Sequence, residues 1–102
     1  MNIGFAIKSI RKQLGVSQYE LSNKTGVSQA SLSQFENGIK NPSTKTINKI
    51  CEALDIPASL IYILGIDNTD VPESKKFMFD SLYPSIRNLA LDIILPENQK
   101  IS

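Results

Sequence analysis

The sequence predicts an all-α protein with five short helices followed by a C-terminal helical extension. Apolar residues recur at helical spacing along most of the 102-residue chain, which is typical of amphipathic helices. Serines that can cap a helix precede several of these segments, and glycines that can end a helix follow them. Each helix is therefore predicted from its apolar spacing together with its start and stop signals.

The first two helices have clear boundaries in the sequence. Helix one carries an apolar face at spacings of four, three and four residues and should stop at Gly15. This face is made by Ile3, Ile7, Ile10 and Leu14. The segment Ser17–Glu20 has the form of a capping box, so helix two should begin at Gln18. Gly26 tolerates a left-handed backbone and should end it.

Three more helices complete a compact domain over Met1–Gly65. Ser28 caps the third helix, which is closed by Asn37-Gly38, and Ser43 caps the fourth. Pro57 fits the first turn of the fifth helix, which Gly65 ends. The predicted inward positions of the three helices are Leu32, Phe35, Ile47, Ile50, Cys51, Leu54, Leu60, Ile61 and Leu64.

The chain beyond residue 65 divides into a linker, a helical extension and a tail. Residues 66–74 are rich in Asp, Asn, Thr and Pro and are predicted to form a linker. Residues 75–95 have helical apolar spacing, and Pro84 should kink this helix or split it into Lys75–Tyr83 and Pro84–Leu95. Residues 96–102 are left as a tail.

Composition argues against most enzyme classes. The chain has one cysteine and no histidine, so we expect no metal cluster, no cofactor, no catalytic residues and no Ser-His or Cys-His nucleophile pair. The start of the chain lacks the pattern of a signal peptide, and no apolar stretch is long enough to cross a membrane. We therefore expect a cytoplasmic, non-enzymatic protein.

Charge is distributed unevenly along the chain. Met1–Ile50 carries seven basic residues and two acidic ones, whereas residues 51–102 carry four basic and eight acidic ones. The overall charge of +1 is therefore the sum of a basic N-terminal half and an acidic C-terminal half. This distribution suits one face that docks on a polyanion, although solvated charges could also be divided this way by chance.

Helices two and three, joined at Gly26, form a helix-turn-helix pattern. In such a motif one helix braces across the DNA backbone while the next lies in the major groove. The outward face of helix three is short and uncharged and consists of Gln29, Ala30, Ser31, Ser33 and Gln34. Glutamine can form paired hydrogen bonds with adenine, and small residues can touch a thymine methyl group. Gln29 and Gln34 could instead be ordinary solvated side chains.

The segment Ser17–Gly38 resembles the helix-turn-helix of the lambdoid-repressor (Cro/C1, XRE-like) family. The similarity extends over about Ile3–Leu64, with Pro42-Ser43 and Ala53–Ile56 in the places that this family uses. The resemblance implies a five-helix lambda-repressor-like domain and a transcriptional regulator that binds double-stranded DNA sequence-specifically, with residues 28–36 in the major groove of a palindromic operator.

The resemblance also implies roles for individual residues. Gln29, Ala30 and Gln34 would face base edges, and we add Ser31 to this set. Contacts to the DNA backbone would come from Gln18, Asn37 and Lys40, and we add Ser28 and Lys45, although the two lysines could simply be solvated. Arg11 and Glu36 would form a structural ion pair. Ala30 is shorter than the residue that many members carry, so the operator sequence stays unpredictable.

The apolar extension predicts a protein interface. One stripe consists of Phe79, Leu82, Ile86, Leu89 and Ile93, and Leu91, Ile94 and Leu95 are expected to widen it. We expect the stripe to form a homodimer interface. Alternatively, the segment folds back as a sixth and seventh helix while Leu60–Leu64 dimerises. A second hypothesis is an antitoxin, in which Phe77–Leu95 covers a toxin-like protein partner.

Overall fold

The computed structural model describes residues 1–94, and within them the fold is all-α. The all-α prediction and the lambda-repressor-like arrangement are confirmed for this part of the chain. Leu95 and the tail 96–102 lie outside the described residues. The helices are α1 (Ile3–Gln13), α2 (Gln18–Thr25), α3 (Gln29–Glu36), α4 (Thr44–Leu54), α5 (Ala58–Gly65) and α6 (Lys76–Ile94). Across residues 1–94 no helix is both long and apolar enough to cross a membrane.

Local capping signals set the starts of α2, α3 and α4 as the sequence predicts. The Ser17 hydroxyl accepts a hydrogen bond from the Glu20 amide at 3.0 Å, and the Glu20 carboxylate accepts one from the Ser17 amide at 3.3 Å. This reciprocal pair is the predicted capping box. The hydroxyls of Ser28 and Ser43 cap α3 and α4 in the same way. Gly26 ends α2 with φ of 76° in the left-handed region.

The first five helices enclose one hydrophobic core. Every predicted inward residue of α3, α4 and α5 is buried, and so are Ile7 and Ile10 of α1. Ile3 and Leu14 are partly buried and pack against the same core. The apolar spacing therefore located the core face of each helix correctly.

Glycine allows α1 to cross α3 at very close range. A Cβ atom at Gly4 would lie 1.8 Å from the carbonyl oxygen of Phe35, which is far inside van der Waals contact. On its other side α1 packs against α5, and the Asn2 amide donates to the Gly65 carbonyl at 2.6 Å. Helix α1 thus fixes α3 relative to α5.

Helix α6 runs continuously through Pro84. Of the two predicted alternatives, a kink or a split at Pro84, the split into two helices is therefore wrong. Proline removes one backbone donor, so the Asp80 carbonyl loses its partner in the helix. Both Pro84 and Asp80 are exposed, and water can therefore satisfy this carbonyl without a break in the helix.

The segment before α6 is folded rather than extended. It forms two single-turn 3₁₀ helices, Asn68–Asp70 and Glu73–Lys75. The Asn68 amide donates to both carboxylate oxygens of Asp80 at 3.0 and 3.1 Å, which ties the segment to α6. Its short polar side chains favour such turns, although the sequence has no apolar period there.

Helix α6 packs on the domain by one face only. Ala90 is buried, and Leu91 and Ile94 pack against the core. The Tyr83 hydroxyl donates to the Leu64 carbonyl at 2.5 Å. The expectation that Leu91 and Ile94 widen an exposed stripe is wrong, because they lie on the inner face. The fold-back alternative is right about this face, but the extension forms one helix, not two.

Candidate nucleic-acid interface

The turn between α2 and α3 is fixed by hydrogen bonds from one side chain. The Thr25 hydroxyl donates to the Leu21 carbonyl at 2.7 Å and accepts from the Val27 amide at 3.1 Å. Together with the left-handed Gly26, these bonds set the direction in which α3 leaves the turn. The turn that connects α2 to α3 is therefore short and conformationally constrained.

Helix α3 presents a polar surface on a buried anchor. Leu32 is fully buried and Phe35 nearly so, whereas Gln29, Ala30 and Gln34 are exposed. Three of the four predicted base-reading residues thus share the outward side of one helix. Ser31 is different, because it is only partly exposed and its hydroxyl accepts a hydrogen bond from the capping Ser28 hydroxyl at 2.9 Å. Its oxygen already takes part in the helix cap.

The chain is held firmly where it leaves α3. Gly38 has φ of 73°, and the amides of Ile39 and Lys40 donate to the Gln34 carbonyl at 2.9 and 3.3 Å. These bonds fix the backbone of Lys40 beside the end of α3. The region that its exposed side-chain ammonium group can reach is therefore limited. Asn37 is exposed as well, with its amide 3.4 Å from the Ser33 hydroxyl.

Arg11 and Glu36 form the ion pair that the family resemblance implies. The Arg11 Nε and Nη2 atoms donate to the two carboxylate oxygens of Glu36 at 2.7 and 2.8 Å. The Arg11 Nη1 atom donates to the Val16 carbonyl at 2.9 Å. The pair joins α1 to the end of α3 and also holds the loop that leads into α2.

Gln18 joins this network instead of standing free. Its Nε2 atom donates to Glu36 Oε1 at 3.1 Å. An amide nitrogen carries two hydrogens, so one donor of Gln18 is used inside the protein and the other is left for an external acceptor. The sequence did not indicate this bond from α2 to α3.

The acid Glu36 stays ionised next to the predicted interface. Burial acts to raise the pKa of Glu36, but hydrogen bonds from Arg11 and Gln18, with the charges of Arg11 and Lys8, outweigh it and hold this pKa below its ordinary value. The pKa of Arg11 is raised, chiefly by its hydrogen bonds to Glu36. The two charges neutralise each other, so Glu36 does not repel a polyanion as a free carboxylate would.

The remaining predicted backbone contacts lie at helix starts. Ser28 is exposed at the N-cap of α3, and Lys45 is exposed in the first turn of α4. Helix N-termini favour anions such as phosphate. Two exposed side chains lie nearby in sequence, namely Tyr19 in α2 at 65% and Ile39 after α3 at 73%. The sequence assigns no role to either side chain.

The described chain gives no support to metal chemistry. Within residues 1–94 there is no group of three or more Cys, Asp or Glu side chains that could hold a metal ion. Cys51 is buried, and desolvation raises the pKa of its thiol. The thiol therefore resists ionisation and belongs to the core, as its spacing predicts.

An apolar stripe runs along the outer side of α6. Four of the five predicted interface residues are exposed by about half or more, namely Leu82, Ile86, Leu89 and Ile93. Phe79 is only partly exposed, because its ring stacks on Tyr83 with centroids 5.1 Å apart. Met78, which the sequence did not single out, extends the stripe and is 58% exposed.

Comparison with known families agrees with this geometry. The helix-turn-helix family model matches residues 7–61, which is more than half of the chain. The chain belongs to the helix-turn-helix family. The match includes α2, α3 and the turn between them, so the XRE-like resemblance seen in the sequence is confirmed.

Several curated members of this family are similar to the chain. The antitoxin PezA of Streptococcus pneumoniae is 40% identical over 65 residues, which cover 64% of this chain and 40% of PezA. The antitoxin HipB of Escherichia coli K12 is 40% identical over 55 residues, covering 54% of this chain and 62% of HipB. The transcriptional regulator ClgR of Mycobacterium tuberculosis is 34% identical over 61 residues, covering 60% and 54%. The matched region spans less than two thirds of each relative.

Proposed function

We propose that this protein is a transcriptional regulator that binds double-stranded DNA sequence-specifically, as a homodimer on a palindromic operator. The observation that carries the proposal is the outward side of α3. It exposes uncharged side chains that can read bases, on a helix anchored by buried Leu32 and Phe35. Side chains that cannot bury themselves but can pair with base edges suit the major groove.

The side chains that we expect to contact DNA divide into two roles. Gln29 and Gln34 form hydrogen bonds with base edges, and Ala30 makes an apolar contact with a base. Ser31 adds a base contact from the first turn of α3. Lys40 and Asn37 at the end of α3 bind phosphate, as do Ser28 and Lys45 at helix starts. Contacts to phosphate fix the position of the protein on the duplex, whereas contacts to base edges carry the specificity.

Gln18 fits a phosphate contact because of its bond to Glu36. The bond orients the side-chain amide of Gln18 at 3.1 Å from the carboxylate and leaves its second hydrogen for a DNA oxygen. Arg11 neutralises Glu36 from the other side. The network therefore orients a donor at the DNA surface while it removes the repulsion that an unpaired acid would cause.

Selection of DNA fragments tests this function most directly. Purified protein is incubated with a random duplex library, and the retained fragments are sequenced. We expect an enriched palindrome whose half-sites lie about 10–10.5 base pairs apart, or a multiple of this spacing. If the retained fragments share no sequence although the protein is folded by circular dichroism, the proposal is contradicted.

The proposal includes no catalytic activity, metal or cofactor. It includes a cytoplasmic location, because the protein must have access to DNA.

A second candidate is an antitoxin that regulates its own transcription through the same helices. Two similar proteins, PezA and HipB, are named antitoxins, and the apolar side of α6 offers a surface for a protein partner. Purification from the native host distinguishes the two candidates. A small protein that copurifies in fixed ratio, and that Leu89→Glu releases while Gln29→Ala does not, would favour the antitoxin.

A further inference from the structure

The outer side of α6 combines a groove and projecting side chains. The groove has a volume of about 240 Å³ and lies between α6 and the turns that precede it. It is lined by Val71, Met78, Phe79, Leu82, Tyr83 and Ile86, and by one charged residue, Lys75. Leu89 and Ile93 follow on the same stripe, further along the helix, and are 65% and 69% exposed. The stripe therefore contains a groove and, further along the helix, exposed apolar side chains that could fill such a groove.

The spacing of the stripe suits pairing of two helices. Leu82, Ile86, Leu89 and Ile93 follow each other at four, three and four residues, which is the repeat of a helix–helix seam. From Met78 to Ile93 the stripe runs for roughly 22 Å at the helical rise of 1.5 Å per residue. Asp80, Arg87 and Asp92 lie off this line in the helical register. Lys75 lines the groove but lies before α6, at one end of the stripe, so like charges do not meet at the centre.

We infer that the occupant of this stripe is α6 of a second copy, packed antiparallel, and this inference rests on the proposed function of a dimeric regulator. In a two-fold pair both copies use the same surface, so a residue that contacts a second residue of the partner is also contacted by that second residue's counterpart. Parallel helices would set groove against groove and leave both empty. Antiparallel helices set Ile93 of each copy opposite Met78 of the other, and Leu89 opposite Leu82, so that each groove is filled.

The domain's own packing supports this arrangement. The inner side of α6 is held by Ala90 and by the Tyr83 hydroxyl on the Leu64 carbonyl. The helix therefore cannot turn its stripe inward without loss of these contacts. Because the stripe borders the inner face, a second α6 would extend the existing core rather than form a separate one.

Oligomeric state tests the occupant. We expect the wild type to be a dimer at micromolar concentration by sedimentation velocity, and Leu89→Glu to be a monomer with unchanged helical circular dichroism. Asn88→Glu is the matched control, because Asn88 is exposed one residue away and outside the stripe, and this variant should stay dimeric. A monomeric wild type, or a dimeric Leu89→Glu, would overturn the inference and assign the stripe to another protein or to no partner.

Disulfide trapping tests the orientation and does not depend on the charged variant. Cys51 is buried, so the wild type should give no disulfide-linked dimer on mild oxidation. Mixed Met78→Cys and Ile93→Cys proteins should form the heterodisulfide, and Met78→Cys alone should not. The reverse pattern would exclude antiparallel pairing. Gln29→Ala should alter DNA binding and leave the dimer intact, so failure of the dimer is distinguishable from failure of the DNA-binding proposal.

Discussion

The guanidinium of Arg11 holds both carboxylate oxygens of Glu36, at 2.7 and 2.8 Å, across the crossing of α1 and α3. Their side chains are only 10% and 2% exposed. Such a pair is not evidence of high stability by itself, because burying two charges is costly. Removal of one partner, however, leaves the other charge buried and unpaired, and several consequences can be measured.

The first prediction is strong energetic coupling between Arg11 and Glu36. Loss of one partner of a buried pair costs about 3–5 kcal/mol, so Arg11→Met and Glu36→Gln should each lower the free energy of unfolding in urea markedly. The double variant should lose much less than the sum of the two. Lys76 and Glu73, 3.3 Å apart and more exposed, serve as control and should couple by less than about 1 kcal/mol. Additive losses for Arg11 and Glu36 would show that they are not partners.

The second prediction concerns the stability of the protein in acid. The pKa of Glu36 is lowered in the folded protein, so its stabilising contribution is complete above the unfolded-state pKa of about 4.3. This contribution is lost as the pH falls below that value and through the lower folded pKa. Urea unfolding from pH 7 to pH 2 should show a steeper acid loss for the wild type than for Glu36→Gln. The exposed Glu52→Gln should retain the wild-type slope, and identical slopes for all three proteins would refute the prediction.

The third prediction separates base contacts from phosphate contacts. Gln29→Ala should weaken binding to the selected operator by about 1–3 kcal/mol and relax preference at one base pair, because a base-edge hydrogen-bond pair is lost. Lys40→Ala should weaken binding to all sequences alike and reduce the salt dependence. Fluorescence anisotropy with operator and scrambled duplexes measures both. Equal loss on both duplexes for Gln29→Ala would mean that α3 does not read bases through this residue.

The fourth prediction concerns the close crossing at Gly4. A methyl group there would meet the Phe35 carbonyl oxygen at 1.8 Å, and backbone cannot move aside as a side chain does. Gly4→Ala should therefore lower the free energy of unfolding by about 3 kcal/mol or more, at the upper end of overpacking. In Gly15→Ala the methyl group would meet open space at φ of +71°, so the expected cost is only about 1–2 kcal/mol. Similar melting temperatures for the two variants would contradict this.

The sequence predicted the features that depend on neighbouring residues. The caps at Ser17, Ser28 and Ser43 and the left-handed Gly26 each depend on bonds within a few residues, and all four were predicted correctly. The outward glutamines of α3 followed from helical spacing, since Leu32 and Phe35 had to face inward. Their base contacts stay predictions.

Features that depend on the packing of distant elements could not be read from the sequence. Glycine at position 4 looked unremarkable within α1, because the Phe35 carbonyl that requires it lies on another helix. Apolar spacing in α6 identified an amphipathic helix but not which part faces the domain, so Leu91 and Ile94 were assigned to the wrong side. The sequence left a kink or a split at Pro84 open, and the helix does not split, because solvent can satisfy the carbonyl that proline leaves without a donor.

The series of contacts that connects α6 to α3 through α5 and α1 has a consequence for the geometry of an operator. Tyr83 bonds α6 to α5, the Asn2 amide bonds α1 to the Gly65 carbonyl, and Gly4 seats α1 on α3. A dimer built on α6 would thus hold its two α3 helices at one fixed distance from each other. One base pair inserted between half-sites rotates the second by roughly 34° about the DNA axis, given 10–10.5 base pairs per turn. Such a protein would lose one half-site on that duplex rather than stretch to reach it.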